Sequence, residues 1–375
     1  METSKLNTLL CKKFGVQINE FNTSQLFEKY EATGFIYPAK KRLLSPYFSN
    51  IRQNWGQLLD RSNDLLWILS TPEAQENFAS ITFWKQSNHG LFAQHLVSTG
   101  KPTLSLKVML AAQYATEICS EEEAINSSQN WFRPNNRYAY RIFASMFEEL
   151  GDRKAFLREH QYLHLALNEI EETENGRLIT EKIESINQPF IDFVRKEYGQ
   201  VFVTAEELDQ ADIGLSRIGQ KYQDHGLHRN RSVYVIKDRK SNEILGSVIA
   251  NRAPLGLNFS FLENRAYYIL KSDLSTKNRV AVLKDLNQVA KACYADFELQ
   301  AIPIVTDQVS SELLQSQNAV FQRAYMQSIW LRSGFLQWYD HIYCFLQRLE
   351  ARELAQKMFQ QRLAQQQMKA AVVAA

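Results

Sequence analysis

The chain has 375 residues with 43 lysines and arginines against 41 aspartates and glutamates, and the resulting net charge of +2 excludes a surface that seeks polyanions by bulk charge. Hydrophobic residues make up 45% and aromatics 12%, with 14 glycines and 8 prolines, a mixture that buries large cores and excludes general disorder. At about 100 to 200 residues per domain the length predicts two domains.

The N-terminal stretch Met1 to Phe14 carries Lys5, Lys12 and Lys13, and its apolar run Leu9-Leu10-Cys11 is too short for a secretory core. No segment approaches the roughly 18 apolar residues of a membrane span. Cys11, Cys119, Cys293 and Cys344 lie far apart with no Cys-x-x-Cys pair, so the expected setting is soluble, reducing and cytoplasmic.

Leu65 to Leu69 reads as a buried strand, a turn near Pro72 to Asn77 follows, and Ala79 to Trp84 is the next strand. Asn88-His89-Gly90 turns the chain into a third strand, Leu91 to Val97. Ser98-Thr99-Gly100-Lys101-Pro102 then opens a helix with Leu106, Met109, Leu110, Tyr114 and Ile118 on one face. Asn136 to Leu150 is a second helix, and Ala155 to Leu167 a last strand with a His160-Gln161-Tyr162 core.

The charged segment Glu169 to Gly176 marks a break, and Leu178 to Tyr198 reads as a helix interrupted near Pro189. Beyond it the pattern repeats. Ser232 to Ile236, Leu245 to Ala250 and Ala266 to Leu270 are strands. Ser275-Thr276-Lys277-Asn278 opens a helix carrying Leu283, Leu286, Val289, Ala290, Cys293 and Phe297. Asn318 to Leu331 reads as a second helix and Phe335 to Leu346 as the last strand, with His341-Ile342-Tyr343 matching His160-Gln161-Tyr162. Matched positions are offset by 167 (Ser80 to Ser247), 177 (Ser98 to Ser275), 182 (Asn136 to Asn318) and 181 (His160 to His341), the drift of a duplication with insertions. The predicted organisation is residues 1–175, a connecting helix or linker at 176–199, a second domain at 200–346, and a helical tail at 347–375. That tail, rich in Gln and Ala, is expected to pack on its own domain or on a protein partner rather than lie on a membrane surface, because its apolar face is short.

Three strands, a capped helix, a strand, a helix and a strand, twice over, resemble the GNAT acyltransferase superfamily across most of the chain. Asn318, Tyr325 seven residues on, and Gly334-Phe335 are similar to that family's Asn, Tyr and Gly-Phe pattern around its last helix, although nine residues separate Tyr325 from Gly334 where the family usually has about four. The resemblance implies two tandem α+β domains with mixed, mainly antiparallel sheets. It further implies transfer of an acyl group from a coenzyme A or carrier-protein thioester to an amine on a small molecule or protein. Tyr325 is then the acid that protonates the thiol.

A coenzyme A pyrophosphate needs free backbone N–H groups at a helix start. Ser98, Thr99, Gly100 and Lys101 offer one such start, and Ser275, Thr276, Lys277, Asn278 and Arg279 the other, although neither holds the family's glycine-rich phosphate loop. His95 in the third strand and Glu263 before the strand at Ala266 are candidate bases near the acceptor. The missing glycines leave a second reading, a catalytically inactive scaffold that binds a ligand or protein, and a gap filled by Trp330 favours it.

No tightly bound cofactor or metal is expected: His160 and His164 on one strand face lie about 13 Å apart, too far to share an ion. Lys40-Lys41-Arg42 and His228-Arg229-Asn230-Arg231 are too small to form a nucleic-acid stripe. Gly100-Lys101 is not a Walker loop, which needs Gly where His95 stands and Ser or Thr where Pro102 stands.

Overall fold

The computed structural model describes residues 3–61, 65–72, 77–166, 176–308 and 319–374. In chain order its elements are α1 (Thr3–Phe14), β1 (Gln17–Ile18), α2 (Thr23–Ala32), α3 (Pro38–Leu44), α4 (Phe48–Arg61), β2 (Leu66–Ser70), β3 (Phe78–Lys85), β4 (Gly90–Thr99), α5 (Pro102–Glu123), β5 (Ser127–Phe132), α6 (Arg137–Leu150) and β6 (Ala155–Ala166). They continue with β7 (Leu178–Ile183), α7 (Gln188–Tyr198), α8 (Gln200–Ala205), α9 (Ser216–Gln223), β8 (Asn230–Asp238), β9 (Ile244–Arg252), β10 (Ala266–Leu270), α10 (Thr276–Cys293), β11 (Ala301–Thr306), β12 (Ala319–Leu331) and α11 (Phe335–Ala374).

All twelve strands form one sheet in the order β1-β2-β3-β4-β5-β12-β6-β11-β10-β9-β8-β7. Only β4 with β5 and β10 with β11 run parallel. The order reads the same from both ends when β1 to β6 are exchanged for β7 to β12, so the two halves are related by a pseudo-twofold axis between β6 and β12. The fold is therefore a mixed α+β tandem of two halves with equivalent strand order, as the repeat implied. One feature was not anticipated: each half lends its last strand to the other. β12 lies beside β5 of the first half, and β6 lies beside β11 of the second.

Helices α2, α4 and α7 to α9 cover one face of the sheet around a core that includes Phe27, Trp55, Phe190, Phe202, Phe259 and Tyr267. On the other face α1, α5, α6 and α11 cover the first half, and α10 covers the second. No described helix is long and apolar enough to cross a membrane.

Three element assignments differ from the sequence pattern. Ala319 to Leu331 is a strand, not a helix. Its apolar residues Phe321, Tyr325, Met326, Ile329 and Trp330 recur at helical spacing, but a strand flanked by β5 and β6 buries both faces, and Tyr325 to Trp330 are all buried. Phe335 to Leu346 belongs to a helix, not a strand, and its buried residues Phe335, Trp338, Ile342 and Leu346 follow helical spacing. The partner of His160-Gln161-Tyr162 is therefore in β12, where Tyr325 stands opposite His160. Leu178 to Tyr198 splits into β7, pairing with β8, and α7, capped by Asn187 with Pro189 in its first turn. Asn318 and the break at 169–175 lie outside the described residues.

Trp330 fills no gap. It packs on Phe143 and Trp338, with ring centroids 5.5 and 5.3 Å away, and is 4% exposed. Trp330→Ala should cost about 3 to 5 kcal/mol of unfolding free energy by urea denaturation, because it empties the seat of α11 on the sheet.

Candidate functional site

The parallel strands β4 and β5 are paired only from Gly90–Ser127 to Ala93–Asn130. Beyond that point β4 runs on to Thr99 and β5 to Phe132 without pairing, which opens a V in the sheet. A cavity of about 450 Å³ passes through it. Ile81, Ala93, Phe132, Ala139 and Phe143 line it on the α5 and α6 face, and Phe35, Tyr37, Trp131, Phe259 and Tyr325 on the other.

A bulge in β4 shapes the V. Ser80 faces Val97 and Thr82 faces Gln94, so Ile81 opposes both His95 and Leu96. His95 takes up the extra residue at φ +52°. Its ring lies 4.2 Å from Phe259 and is stacked on Trp55 at 5.7 Å. Phe259 N–H donates to Nε2 at 3.3 Å, which puts the ring proton on Nδ1, and Nδ1 is buried without a partner. Burial, then the charge of Lys40, holds the imidazole well below its usual pKa and therefore neutral.

The wall opposite β4 comes from the second half. The loop 253–265 between β9 and β10 crosses the sheet and is held by the first half at successive residues: Asn54 Nδ2 donates to Leu255 O, Trp55 Nε1 to Gly256 O, Gln94 Nε2 to Leu257 O, and Asn258 Nδ2 to Gln94 Oε1. Ser260 Oγ bonds the Tyr325 hydroxyl at 2.8 Å, and the Tyr162 hydroxyl donates to Ser260 O. Gly256, at φ +85°, lies so close to α4 that a Cβ would stand 2.4 Å from Ile51 Cγ1.

Glu263 belongs to this loop. It is fully buried, accepts the Gly256 N–H at 2.6 Å through Oε1, and leaves Oε2 unpaired. Ser260 and Leu262 line the cavity, while Glu263 is not on its wall. Burial pushes its carboxyl up to about 8 despite backbone hydrogen bonds.

The structure thus brings His95, Ser98 and Tyr325 to one cavity. Tyr325 does so from a strand rather than from the last helix of the second half, because β12 has crossed into the first. In the first half the seven-residue interval from Asn136 lands on Phe143, which has no hydroxyl. The phenol offered by α6 is Tyr138, which bonds Ser105 Oγ at 2.7 Å on the cavity wall.

The two helix starts differ. Gly100, at φ +75°, leads into Lys101, the N-cap of α5, whose side chain makes no capping hydrogen bond, while Thr99 Oγ1 accepts the Phe78 N–H. At α10, Ser275 Oγ accepts the Asn278 N–H, Asn278 Oδ1 accepts from Arg177, and Arg279 donates to Ser272 O and Gln308 O. Thr276 and Lys277 are exposed there. The V of the second half is stoppered: Gln308 Oε1 accepts the Leu270 N–H at 2.7 Å and its Nε2 donates to Glu197.

Sequence reasoning missed Tyr37, Lys40, Arg133, Tyr138 and Arg323. Arg133 and Arg323 both donate to the Tyr37 hydroxyl, from the end of β5 and from β12. Lys40-Lys41-Arg42 was visible as a basic cluster, but nothing in the sequence joined it to positions about 90 and 280 residues away.

No family model matches the chain, and no curated protein matches it. Among solved structures it is similar to a GCN5-related N-acetyltransferase from Sphaerobacter thermophilus, at 10% identity and a TM-score of 0.37, over 76% of this chain and 85% of that one. A tandem GNAT protein from the clavulanic acid biosynthesis pathway is 7% identical with a TM-score of 0.35, over 75% of this chain and 88% of that one. Saccharomyces cerevisiae N-myristoyltransferase, solved with bound myristoyl-CoA, is 11% identical with a TM-score of 0.34, over 71% and 66%. Likenesses of this size carry no argument.

Two outcomes follow from the loop and its buried acid. Gly256→Ala should lower unfolding free energy by at least about 2 kcal/mol in urea, since both the backbone and Ile51 oppose it. Folding raises the Glu263 pKa from 4.5 to about 8. The stability this group lends is therefore complete below pH 4.5, declines above it, and is lost as pH rises through about 8. Glu263→Gln should remove this dependence, worth up to about 1.4 kcal/mol per pH unit across that window, so that the variant gains on the parent at alkaline but not at acid pH in urea midpoints.

Proposed function

We propose that the protein is an N-acyltransferase whose working site is the open V of the first half, with the stoppered second half serving as scaffold. The observation that carries this reading is the cavity that passes through the sheet where β4 and β5 part, giving a thioester and an amine separate approaches to one point. The residues fit a coenzyme A thioester: the uncapped start of α5 at Gly100 and Lys101 would face its phosphates, and Ser98 the arm that leads inward. The thioester supplies an activated acyl group.

Acyl transfer breaks a C–S bond and forms a C–N bond, while the nitrogen loses a proton and the sulfur gains one. The Nδ1–H of neutral His95 is free to donate to the acyl oxygen as charge develops there. Tyr325, hydrogen-bonded to Ser260, returns a proton to the sulfur and is replenished by the proton that the amine gives up. Glu263 positions the loop that holds Ser260. The three described free thiols, Cys11, Cys293 and Cys344, support a reducing, cytoplasmic setting.

Acetyl-CoA or a longer acyl-CoA should raise the thermal unfolding midpoint of the purified chain, and free CoA should raise it less. Ala139→Trp, which fills the cavity, should abolish that rise, whereas Lys277→Ala at the second helix start should preserve it. No rise with any acyl-CoA at millimolar concentration would sink the reading. With an acceptor in hand, Tyr325→Phe should lower kcat by about 10² to 10⁴.

A further inference from the structure

Lys40 and Arg133 line the cavity, and Arg323 joins Arg133 on the Tyr37 hydroxyl beside them. Arg133 Nη2 and Arg323 Nη1 donate to the same phenol oxygen of Tyr37, Arg323 at 3.1 Å. The Lys40 ammonium lies 4.2 Å from the centre of the Phe35 ring and 5.4 Å from that of Tyr37. No described Asp or Glu forms an ion pair with any of the three. A guanidinium has five N–H donors, and one accepting phenol leaves most of them unused in both arginines.

The charges press on one another. Burial and then Arg133 and Arg323 depress Lys40 to about 8. Burial raises the Tyr37 phenol, but the hydrogen bonds and charges of the two arginines outweigh it and hold the group below its usual range. Like charges held together in half-buried surroundings cost stability unless an anion joins them. Tyr37 and Lys40 belong to the helical layer that covers the face of the sheet opposite α5 and α6. An anion here enters from the side away from the α5 start, which the coenzyme phosphates would take.

We infer that the acyl acceptor carries an anionic group, a carboxylate or a phosphate, which seats among Lys40, Arg133 and Arg323 while the rest of the molecule lies along Phe35 and Phe259. Guanidiniums match the two oxygens of such groups in a fork, which selects them over neutral analogues of equal shape. This inference rests on the acyl-transfer reading.

The test uses the full chain and thermal unfolding with hydrocinnamate, its neutral amide, inorganic phosphate and acetyl-CoA, each alone. Hydrocinnamate or phosphate should raise the midpoint and the amide should not. Arg133→Gln and Arg323→Gln should each weaken the anion by about tenfold or more while keeping the response to acetyl-CoA, and Arg323→Lys should restore part of the loss. Circular dichroism on each variant separates lost binding from lost folding.

Equal responses to the acid and its amide, or none to any anion, would overturn the inference. So would arginine variants that lose acetyl-CoA together with the anion, since the cations would then be holding coenzyme phosphates. A parent chain that binds the anion through these arginines and ignores acetyl-CoA overturns the acyl-transfer reading instead, leaving an anion site.

Discussion

The pairing of β6 with β12 decides most of what the molecule is. Eleven residue pairs join these strands, from Ala319–Leu165 to Trp330–Ala155, and each strand has come from the opposite half of the chain. A strand is fixed by hydrogen bonds on both edges, so exchanging two of them fuses two six-stranded units into one sheet with no edge at the centre. Tyr325 reaches the first-half cavity because of this exchange, and so does Arg323. The exchange is symmetric, but the two V-shaped openings are not. One is walled by the partner half's loop and stays open, and the other is closed by Gln308 from the end of its own strand.

Polar groups lie buried at the middle of the fused sheet; several of them pair with one another, while both ring nitrogens of His160 stay unpaired. Arg265 is 1% exposed and donates to Glu206 at 3.0 Å and to Leu262 O at 2.8 Å. Glu206 also accepts from Gln129 on β5, and Gln129 Oε1 in turn accepts from Gln327 on β12. Gln327 donates as well to the Tyr267 hydroxyl on β10. The network thus links α8, both halves and the exchanged strand. Removing one member of a buried ion pair of this kind costs about 3 to 5 kcal/mol, because the other charge is left in a place water does not reach. The same network orients Arg265, whose backbone ends the loop that walls the site.

Much of this architecture was legible in the residues. Ala266 to Leu270 is a strand at the bounds read from its apolar run, Ser275 caps its helix as the sequence predicts while Lys101 rather than Ser98 or Thr99 stands at the N-cap of α5, and the repeat of strand, strand, strand and helix is real. What failed was the period at the chain's C-terminal end. A strand buried on both faces shows no alternation, so Tyr325 and Ile329 gave a helical pattern to a strand, and the aromatic run from Phe335 to Phe345 gave a strand-like composition to a helix. The short strand β5 passed unnoticed for a different reason, since Ser127-Ser128-Gln129-Asn130 places polar side chains in the interior. Of the site, His95, Ser98 and Tyr325 were identifiable singly. The cationic cluster was not, because Lys40 and Arg133 meet only in the fold and Arg323 joins them through the strand exchange, which leaves no local mark.

That exchange also sets an order of events for a chain made from its N-terminus. When residues 127–132 have left the ribosome, the strand that will cover their outer edge is still about 190 residues from being made. The first half must therefore wait with β5 bare along one side, or pair it provisionally with its own β6, the neighbour an unexchanged unit would use. Releasing such a pairing requires local unfolding, and a bare edge invites pairing with another chain. Closing the sheet at β12 thus comes last, a long-range pairing of the kind that slows folding. A cell that makes it has reason to keep its nascent form diluted or attended by chaperones.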